Sequence, residues 1–424
     1  MSFDMAGSPN KPFVIGRDID VSCVVLFDPA RHEPLCADHW DEARVRATIA
    51  RIVEDTEARF TEDAWWPMHP LDVDAGPRDP VFSLYFGACG VIWALRYLAA
   101  LGVAPVGRDY AEAVARLLPL NRAWLAVYGD DAPGSYLMGD TPILMLRHWL
   151  EPHAGVLDEL QRLVRRNIEN PTRELMWGSP GTMLAALFLH EHTGEARWAD
   201  LVRRTARDLD SRLLRSPEYD CDYWIQHMYG ERTAYLDAVH GFVGNALPLI
   251  RGRHLLGDKA WSAWARRIER TVTHTATREG PLANWRPFLQ QDDDGKMLMQ
   301  YCHGAPGFVV CLGEFPGNGL DALLLAGGEA VWAAGPLRKG SNLCHGTAGN
   351  GYAFLKLHRR TNDRRWLERA RAFAMHAIGQ FEAHASRYGQ LRYSLWTGDL
   401  GLAIYLANCI AARADFPTLD VFFA

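Results

Sequence analysis

Leu343-Cys344-His345-Gly346-Thr347-Ala348-Gly349-Asn350-Gly351-Tyr352-Ala353-Phe354-Leu355 joins three features in one short stretch: a Cys-His pair, a Gly-x-x-Gly step, and a run of mostly apolar residues. The glycine step recurs along the chain. It is found at Gly87-Ala88-Cys89-Gly90, Gly178-Ser179-Pro180-Gly181, Gly241-Phe242-Val243-Gly244, Gly304-Ala305-Pro306-Gly307 and Gly398-Asp399-Leu400-Gly401. A seventh, less regular copy, Gly139-Asp140-Thr141-Pro142, ends in proline. The steps stand about 40 to 60 residues apart, so the chain is built from copies of one unit joined by loops of uneven length.

The segments on either side of the steps differ in kind. Asp41–Phe60 carries Val45, Ile49, Ile52, Val53 and Phe60 on one stripe, the period of an amphipathic helix. Arg197–Leu214 repeats this with Trp198, Leu201, Val202, Leu209 and Leu213, and Arg365–Phe381 with Trp366, Ala370, Phe373, Ala377 and Ile378. After the steps, Val91–Ala100, Thr182–Leu189 and Leu402–Ala411 are apolar nearly all round, as helices buried on several sides should be. Each unit is therefore one half-exposed helix, a glycine turn and one buried helix. Seven such pairs that stack and close give an all-α fold, an α/α toroid with buried helices inside and amphipathic ones outside. The N-termini of the inner helices gather at one end, where unpaired N–H groups are expected to favour anions. Residues 41–424 are expected to form this single domain, and residues 1–40, which do not fit the repeat, an N-terminal extension packed on it. Val21–Phe27 reads as a short strand or buried segment, and the polar, aromatic Asp220–Tyr235 as a loop overhanging the active face.

Composition excludes several classes. A net charge of −6 over 424 residues gives no nucleic-acid surface. No apolar run reaches the roughly 18 residues of a membrane span. Met1–Arg17 lacks a basic-then-apolar signal pattern, so a cytoplasmic location is expected, and the eight cysteines are expected to be reduced. Cys89, Cys311 and Cys409 fall in or beside inner-helix segments and read as core.

Cys302 and Cys344 are different, because each precedes a His-Gly-x-x-Gly pattern in consecutive units. Units that neighbour each other in a ring bring such residues, 42 positions apart in sequence, to one point on the rim. Two thiolates with His345 make a three-ligand zinc site with one open position. That position suits a sulfur substrate, whose thiol a metal would activate, or a water for hydrolysis. His303 reads as a fourth ligand, a substrate contact or a loop residue; a non-ligand role is preferred because chemistry needs the open position.

Three stretches resemble the LanC and LanC-like family of zinc enzymes: His240-Gly241-Phe242-Val243-Gly244, Gln300-Tyr301-Cys302-His303-Gly304-Ala305-Pro306-Gly307, and the Leu343–Leu355 stretch above. The resemblance covers most of the chain beyond about residue 80. It implies the toroid, zinc on Cys302, Cys344 and His345, and addition of an activated thiol to the β-carbon of a dehydroalanine or dehydrobutyrine. In bacterial cyclases the thiol is a cysteine of the same peptide, giving lanthionine rings. In the LanC-like branch it is glutathione, added to dehydroamino acids on proteins. The sequence is more similar to the LanC-like branch in two details: the Cys-His-Gly-Ala-Pro-Gly motif, and the basic approach Gly335-Pro336-Leu337-Arg338-Lys339-Gly340.

The resemblance also implies roles around the metal. His240 is expected to give or take the proton that Michael addition requires, the plainer alternative being a helix cap. Glu174 stands where cyclases place a carboxylate that assists the thiol or the histidine. Arg338 and Lys339, with Arg387 and Arg392, are expected to bind glutathione carboxylates or stabilise the enolate, against the alternative of a solvated basic surface. Asp140 and Asp399 read as helix caps. Two competing functions are a peptide cyclase and a non-catalytic glutathione or zinc adaptor. A toroid glycosidase would need a pair of carboxylates across the site, which the Cys-His motifs do not supply.

Overall fold

The computed structural model describes residues 25–72, 80–126, 129, 132–290 and 297–424. Seven inner helices begin at the glycine steps: α2 (Ala88–Ala100), α4 (Thr141–Leu150), α6 (Ser179–Thr193), α8 (Phe242–Arg251), α11 (Ala305–Leu312), α13 (Thr347–Thr361) and α15 (Asp399–Ala411). They pack in order, α2 on α4 and so on round to α15, which returns to α2, so the ring is closed. Seven outer helices alternate with them: α1 (Glu42–Arg59), α3 (Ala111–Leu125), α5 (Ala154–Asn167), α7 (Ala196–Ser211), α10 (Asp258–His274), α12 (Asp321–Ala334) and α14 (Arg364–Tyr388). A short α9 (Arg253–Leu256) follows α8. The fold is the α/α toroid expected from the repeat.

Burial follows the two sequence patterns. In α15 every residue from Asp399 to Cys409 is buried, while α7 buries only a stripe that includes Trp198, Leu201, Val202 and Leu209. Leu213, expected on that stripe, lies past the helix end and is only partly covered. The stripe of α14 is buried as read, and the helix continues to Tyr388, well past Phe381. Burying each large apolar side chain contributes roughly 1.5–3 kcal/mol, so both the inner ring and the stripes that cover it stabilise the fold.

The glycine steps hold tight turns. A Cβ on Gly349 would overlap the Leu343 carbonyl, and Gly304 has φ +112° with the Leu298 carbonyl against its Cα; only glycine fits either place. In α8 and α13 the first N–H groups, expected to be free, are paired. In α8, Phe242, Val243 and Gly244 donate to the carbonyls of Tyr235, Leu236 and Asp237. In α13, Thr347, Ala348 and Gly349 donate likewise to Gly340, Ser341 and Asn342. The loop that leads into each of these helices thus satisfies its first turn, leaving no such groups for an anion. Pro142 fits the pattern, since proline is tolerated in a first helical turn.

Asp220–Tyr235 is not a plain loop. Strand β1 (Leu214–Ser216) pairs with β2 (Cys221–Tyr223), and β3 (Gln226–Met228) with β4 (Glu231–Thr233). The second hairpin turns through Tyr229 and Gly230, both at positive φ, as two-residue hairpins require. Its Tyr229 hydroxyl accepts from Trp177 Nε1 at 2.8 Å, so the tip leans over the third step. A third hairpin, β5 (Ala276–Glu279) with β6 (Leu282–Trp285), precedes α11. Its Asn284 Oδ1 accepts from Ala305 N at 2.7 Å, starting that helix.

The chain after α15 turns back into the barrel. Phe416, Leu419 and Phe422 are fully buried there. Thr418 and Phe422 give their carbonyls to Tyr136 Oη and Trp93 Nε1. Asp420 pairs with the buried Lys356 at 2.7 Å. Phe416 stacks on Tyr301, 4.6 Å between centroids, directly below the Cys302 turn. At the other terminus, residues 25–40 run over the loop after α12, with Glu33 N on Pro336 O and Arg338 N on Arg31 O. Most of Val21–Phe27 lies outside the described residues; Val25–Phe27 is not strand, and Leu26 is buried.

Candidate metal centre and its rim

Each step contributes three equivalent positions to the barrel mouth. Two residues before its first glycine stand Tyr85, Leu137, Met176, Val239, Cys302, Cys344 and Trp396. Their backbones join neighbouring units: Tyr85 N to Leu137 O, Leu137 N to Met176 O, Cys302 N to Cys344 O, Cys344 N to Trp396 O, and Trp396 N to Tyr85 O, at 2.9–3.2 Å. Leu175 N to Val239 O joins the third and fourth units. This belt puts Cys302 and Cys344 side by side.

One residue before the glycine stand Phe86, Met138, Trp177, His240, His303, His345 and Thr397. Four before it stand Ser83, Ser135, Glu174, Asp237, Gln300, Asn342 and Ser394, all polar. These polar side chains tie down their own turns. Glu174 accepts from the N–H of Trp177, Asp237 from His240 and Asn342 from His345 at 3.0 Å.

The sulfurs of Cys302 and Cys344 and a ring nitrogen of His345 lie within 4.8 Å of one another. Both thiols are buried. Cys302 Sγ accepts from Gln300 Nε2 at 3.0 Å and Cys344 Sγ from Tyr85 Oη at 2.8 Å. The Cys344 thiol is held well below the ordinary range, first by the hydrogen bond from Cys302 and then by those from His345 and Tyr85. Burial, and then the neighbouring Cys344, push Cys302 well above it. Two adjacent sulfurs beside an imidazole are a donor set that a single tetrahedral cation such as zinc satisfies, with one position left over. His303 is not part of this cluster. Its Nδ1 bonds Asp237 Oδ2 at 2.8 Å.

Glu174 reaches across to the next unit. Its Oε2 bonds His240 Nδ1 at 2.8 Å and accepts from Met176 N at 2.9 Å. Burial would lower the His240 pKa, but the hydrogen bond and charge of Glu174 outweigh it and raise the value. A protonated imidazole is thereby favoured beside the thiols.

A family model described as "Lanthionine synthetase C-like protein" matches residues 152–421, more than half of the chain and all of the positions just described from Glu174 to Trp396. The chain belongs to the lanthionine synthetase C-like family. It is 28% identical over 377 residues to "Glutathione S-transferase LANCL1" of Danio rerio, covering 82% of this chain and 87% of that protein. It is also 28% identical over 208 residues to "LanC-like protein GCL1" of Arabidopsis thaliana, covering 47% and 46% of the two chains. Among solved structures, "Nisin cyclase" is similar at a TM-score of 0.55 and 17% identity, covering 87% of this chain and 93% of that one, a likeness of fold.

In this lanthionine synthetase C-like chain the four basic residues singled out in the sequence do not converge. Lys339 and Arg392 line one small cavity with His69, His384, Asn342 and Asp399. Arg392 is largely buried and forks onto Asp72, with Nε to Oδ2 at 2.7 Å. Arg338 belongs to a separate groove with Glu33 and Trp332. Arg387 is exposed, with its guanidinium 5.4 Å from the Tyr388 ring centre. Of the two aspartates expected as caps, Asp140 stands at the N-cap position of α4 without a side-chain cap bond, and Asp399 is the first residue of α15 rather than its cap. Asp140 pairs with Arg122 at 2.6 Å. Asp399 accepts from Arg392 N at 2.8 Å, and burial lifts its pKa to about 6.

Sequence reasoning missed Tyr85, Asp237, Gln300 and Asn342. Tyr85, two before its glycine, had no signal; for Asp237, Gln300 and Asn342 the recurring polar residue four before each glycine was the available one. What it could not carry is that the second oxygen of a carboxylate there reaches a histidine in the following unit.

Proposed function

We propose that this protein is a zinc-dependent thioether-forming enzyme that adds the thiol of glutathione to dehydroalanine or dehydrobutyrine in a peptide or protein. The observation that carries the reading is the convergence of Cys302, Cys344 and His345 next to a histidine held by Glu174. The similarity to a glutathione S-transferase along most of both chains supports glutathione as the thiol. Residues 41–424 would act as one domain, with residues 1–40 as an extension on it.

Cys302, Cys344 and His345 would hold the ion. Zinc in such a site supplies Lewis acidity that favours the thiolate form of a substrate thiol at neutral pH. Buried Tyr85 and Gln300 donate to the two cysteine sulfurs and so fix their orientation. When sulfur bonds the substrate β-carbon, the double-bond electrons pass to the α-carbon and its carbonyl. His240, raised in pKa by Glu174, then gives its proton to the α-carbon. The proton lost by the thiol balances the one delivered. Lys339 and Arg392, in their shared cavity beside the Asn342 cap, would take a glutathione carboxylate. Arg338 and Arg387 would contribute charge from outside that cavity.

A glycosidase reading gains no support from the buried carboxylates nearest the thiols. Glu174 and Asp237 each have both oxygens engaged by backbone N–H groups and a histidine, leaving neither free to protonate a glycosidic oxygen. The deciding assay offers zinc-loaded protein a dehydroalanine peptide with its own cysteine, together with glutathione. Mass gain of one glutathione supports the proposal. Ring closure without adduct would show a cyclase instead, and neither product would leave a binding role.

A further inference from the structure

Seven junctions link neighbouring units around the mouth of the barrel. Six are closed by the backbone hydrogen bonds of the belt. Leu236 N on Pro287 O and Leu289 N on Ala234 O, both 2.8 Å, pair the fourth and fifth units further from the step, but the junction between these two units has no belt bond at the rim among the described residues. A side-chain bond stands in its place, from Asp237 Oδ2 to His303 Nδ1 at 2.8 Å. The other oxygen of Asp237 accepts from Val239 N at 3.0 Å and His240 N at 2.7 Å. Asp237 is fully buried. One carboxylate therefore grips the backbone of His240 and the ring of the residue next to Cys302.

The location matters. Backbone bonding holds two extended segments at a fixed spacing of about 4.8 Å. Where it is missing at the rim, the side-chain bridge is the bond that ties the two turns directly to each other. Here the two turns are the one that carries the acid–base histidine and the one that carries a metal-ligand cysteine. In the other arc of the mouth the equivalent positions are Ser83 and Ser135, too short to reach the next unit.

We propose that Asp237 and His303 are positioning residues, a bridge that fixes the His240 imidazole relative to the Cys302 sulfur. The bridge neither binds the metal nor transfers the reacting proton. The role rests on the thioether-forming reading above. Supporting partners of metal-site residues typically contribute about 10–100-fold to affinity or activity.

The test uses full-length protein with His303→Leu, Asp237→Asn, the double variant, and His303→Asn. Asparagine keeps an oxygen for the Val239 and His240 N–H groups at position 237, and at position 303 it keeps an N–H donor near the place of Nδ1. Expected for His303→Leu and for Asp237→Asn is a fall in kcat of about 10–100-fold, with KM for glutathione within about threefold. The double variant should be no worse than either single one, and His303→Asn should recover most of the loss. With Co(II) in place of zinc, one equivalent should bind every variant. The thiolate-to-cobalt charge-transfer band should shift in His303→Leu and Asp237→Asn but not in His303→Asn. Wild-type kcat and an unmoved band in His303→Leu would overturn the proposal, as would additive losses in the double variant or no recovery in His303→Asn. If wild-type protein forms no adduct, the thioether reading fails, and the cobalt band alone still decides whether the bridge positions Cys302.

Discussion

The two arcs of the barrel mouth share one scaffold and differ in what it carries. From the first to the third unit, the residues before the glycine are Phe86, Met138 and Trp177; from the fourth to the sixth they are His240, His303 and His345. The backbone belt joins the units of both arcs except at the junction between the fourth and fifth. A reactive site therefore needed no change of fold. It needed cysteines at two belt positions, histidines at three adjoining ones, and carboxylates at two turn-capping positions whose second oxygen could reach the next unit. The site falls where the belt itself is interrupted.

That contrast can be broken most severely at the metal. Cys344→Ala should lose stoichiometric zinc and reduce adduct formation by more than ~100-fold, beyond what outer-shell partners contribute. Cys311→Ala, buried in α11 away from the cluster, should keep both. Metal analysis beside a rate assay checks this. Next in size is His240→Ala, expected to keep its zinc while kcat falls about 10²–10⁴-fold, the usual contribution of general acid–base catalysis. A variant that lost zinc as well would place His240 among the ligands.

Glu174→Gln should give a smaller effect with a defined sign. The folded-state pKa of His240 is raised, so its protonated form is present below that value and lost as pH rises through it. Removing the carboxylate charge lowers the value, and the alkaline fall in kcat should move to lower pH. A matching change is expected in stability. The wild-type pair contributes fully below the ordinary histidine pKa and less as pH rises through the folded value, and the variant should lose that dependence. A pH–rate profile and a series of melts at different pH read the two. The smallest effect belongs to the packing arc. Met138→Leu conserves volume and should cost less than about 1.5 kcal/mol, with the adduct rate within about twofold. A large loss there would show that the first arc also serves the chemistry.

Much of this is legible in the sequence. All-round apolar runs after the steps and striped helices before them are strong periodic signals, and they specified an inner and an outer ring. The cysteines stood out because they sat at one position of a repeat. The hairpins were not legible, since their strands are three or four residues long and Tyr229-Gly230 lacks the Asn-Gly or Asp-Gly signature. Nor was the return of Phe416–Phe422 into the barrel, whose aromatic residues carry no period. Arg338 and Lys339 are adjacent in sequence yet line different cavities, and composition cannot separate neighbours on a turn. The Glu174–His240 and Asp237–His303 bonds each span 66 residues, and only the stacking of consecutive units brings their partners together.

The central claim is tested most directly by the intact mass of a dehydroalanine peptide after incubation with glutathione and zinc-loaded protein, run beside the Cys344→Ala variant. The account predicts a gain of one glutathione with the native protein and none above the uncatalysed level with the variant. Equal gains in both samples, or no gain with a native protein that holds one zinc, would contradict it.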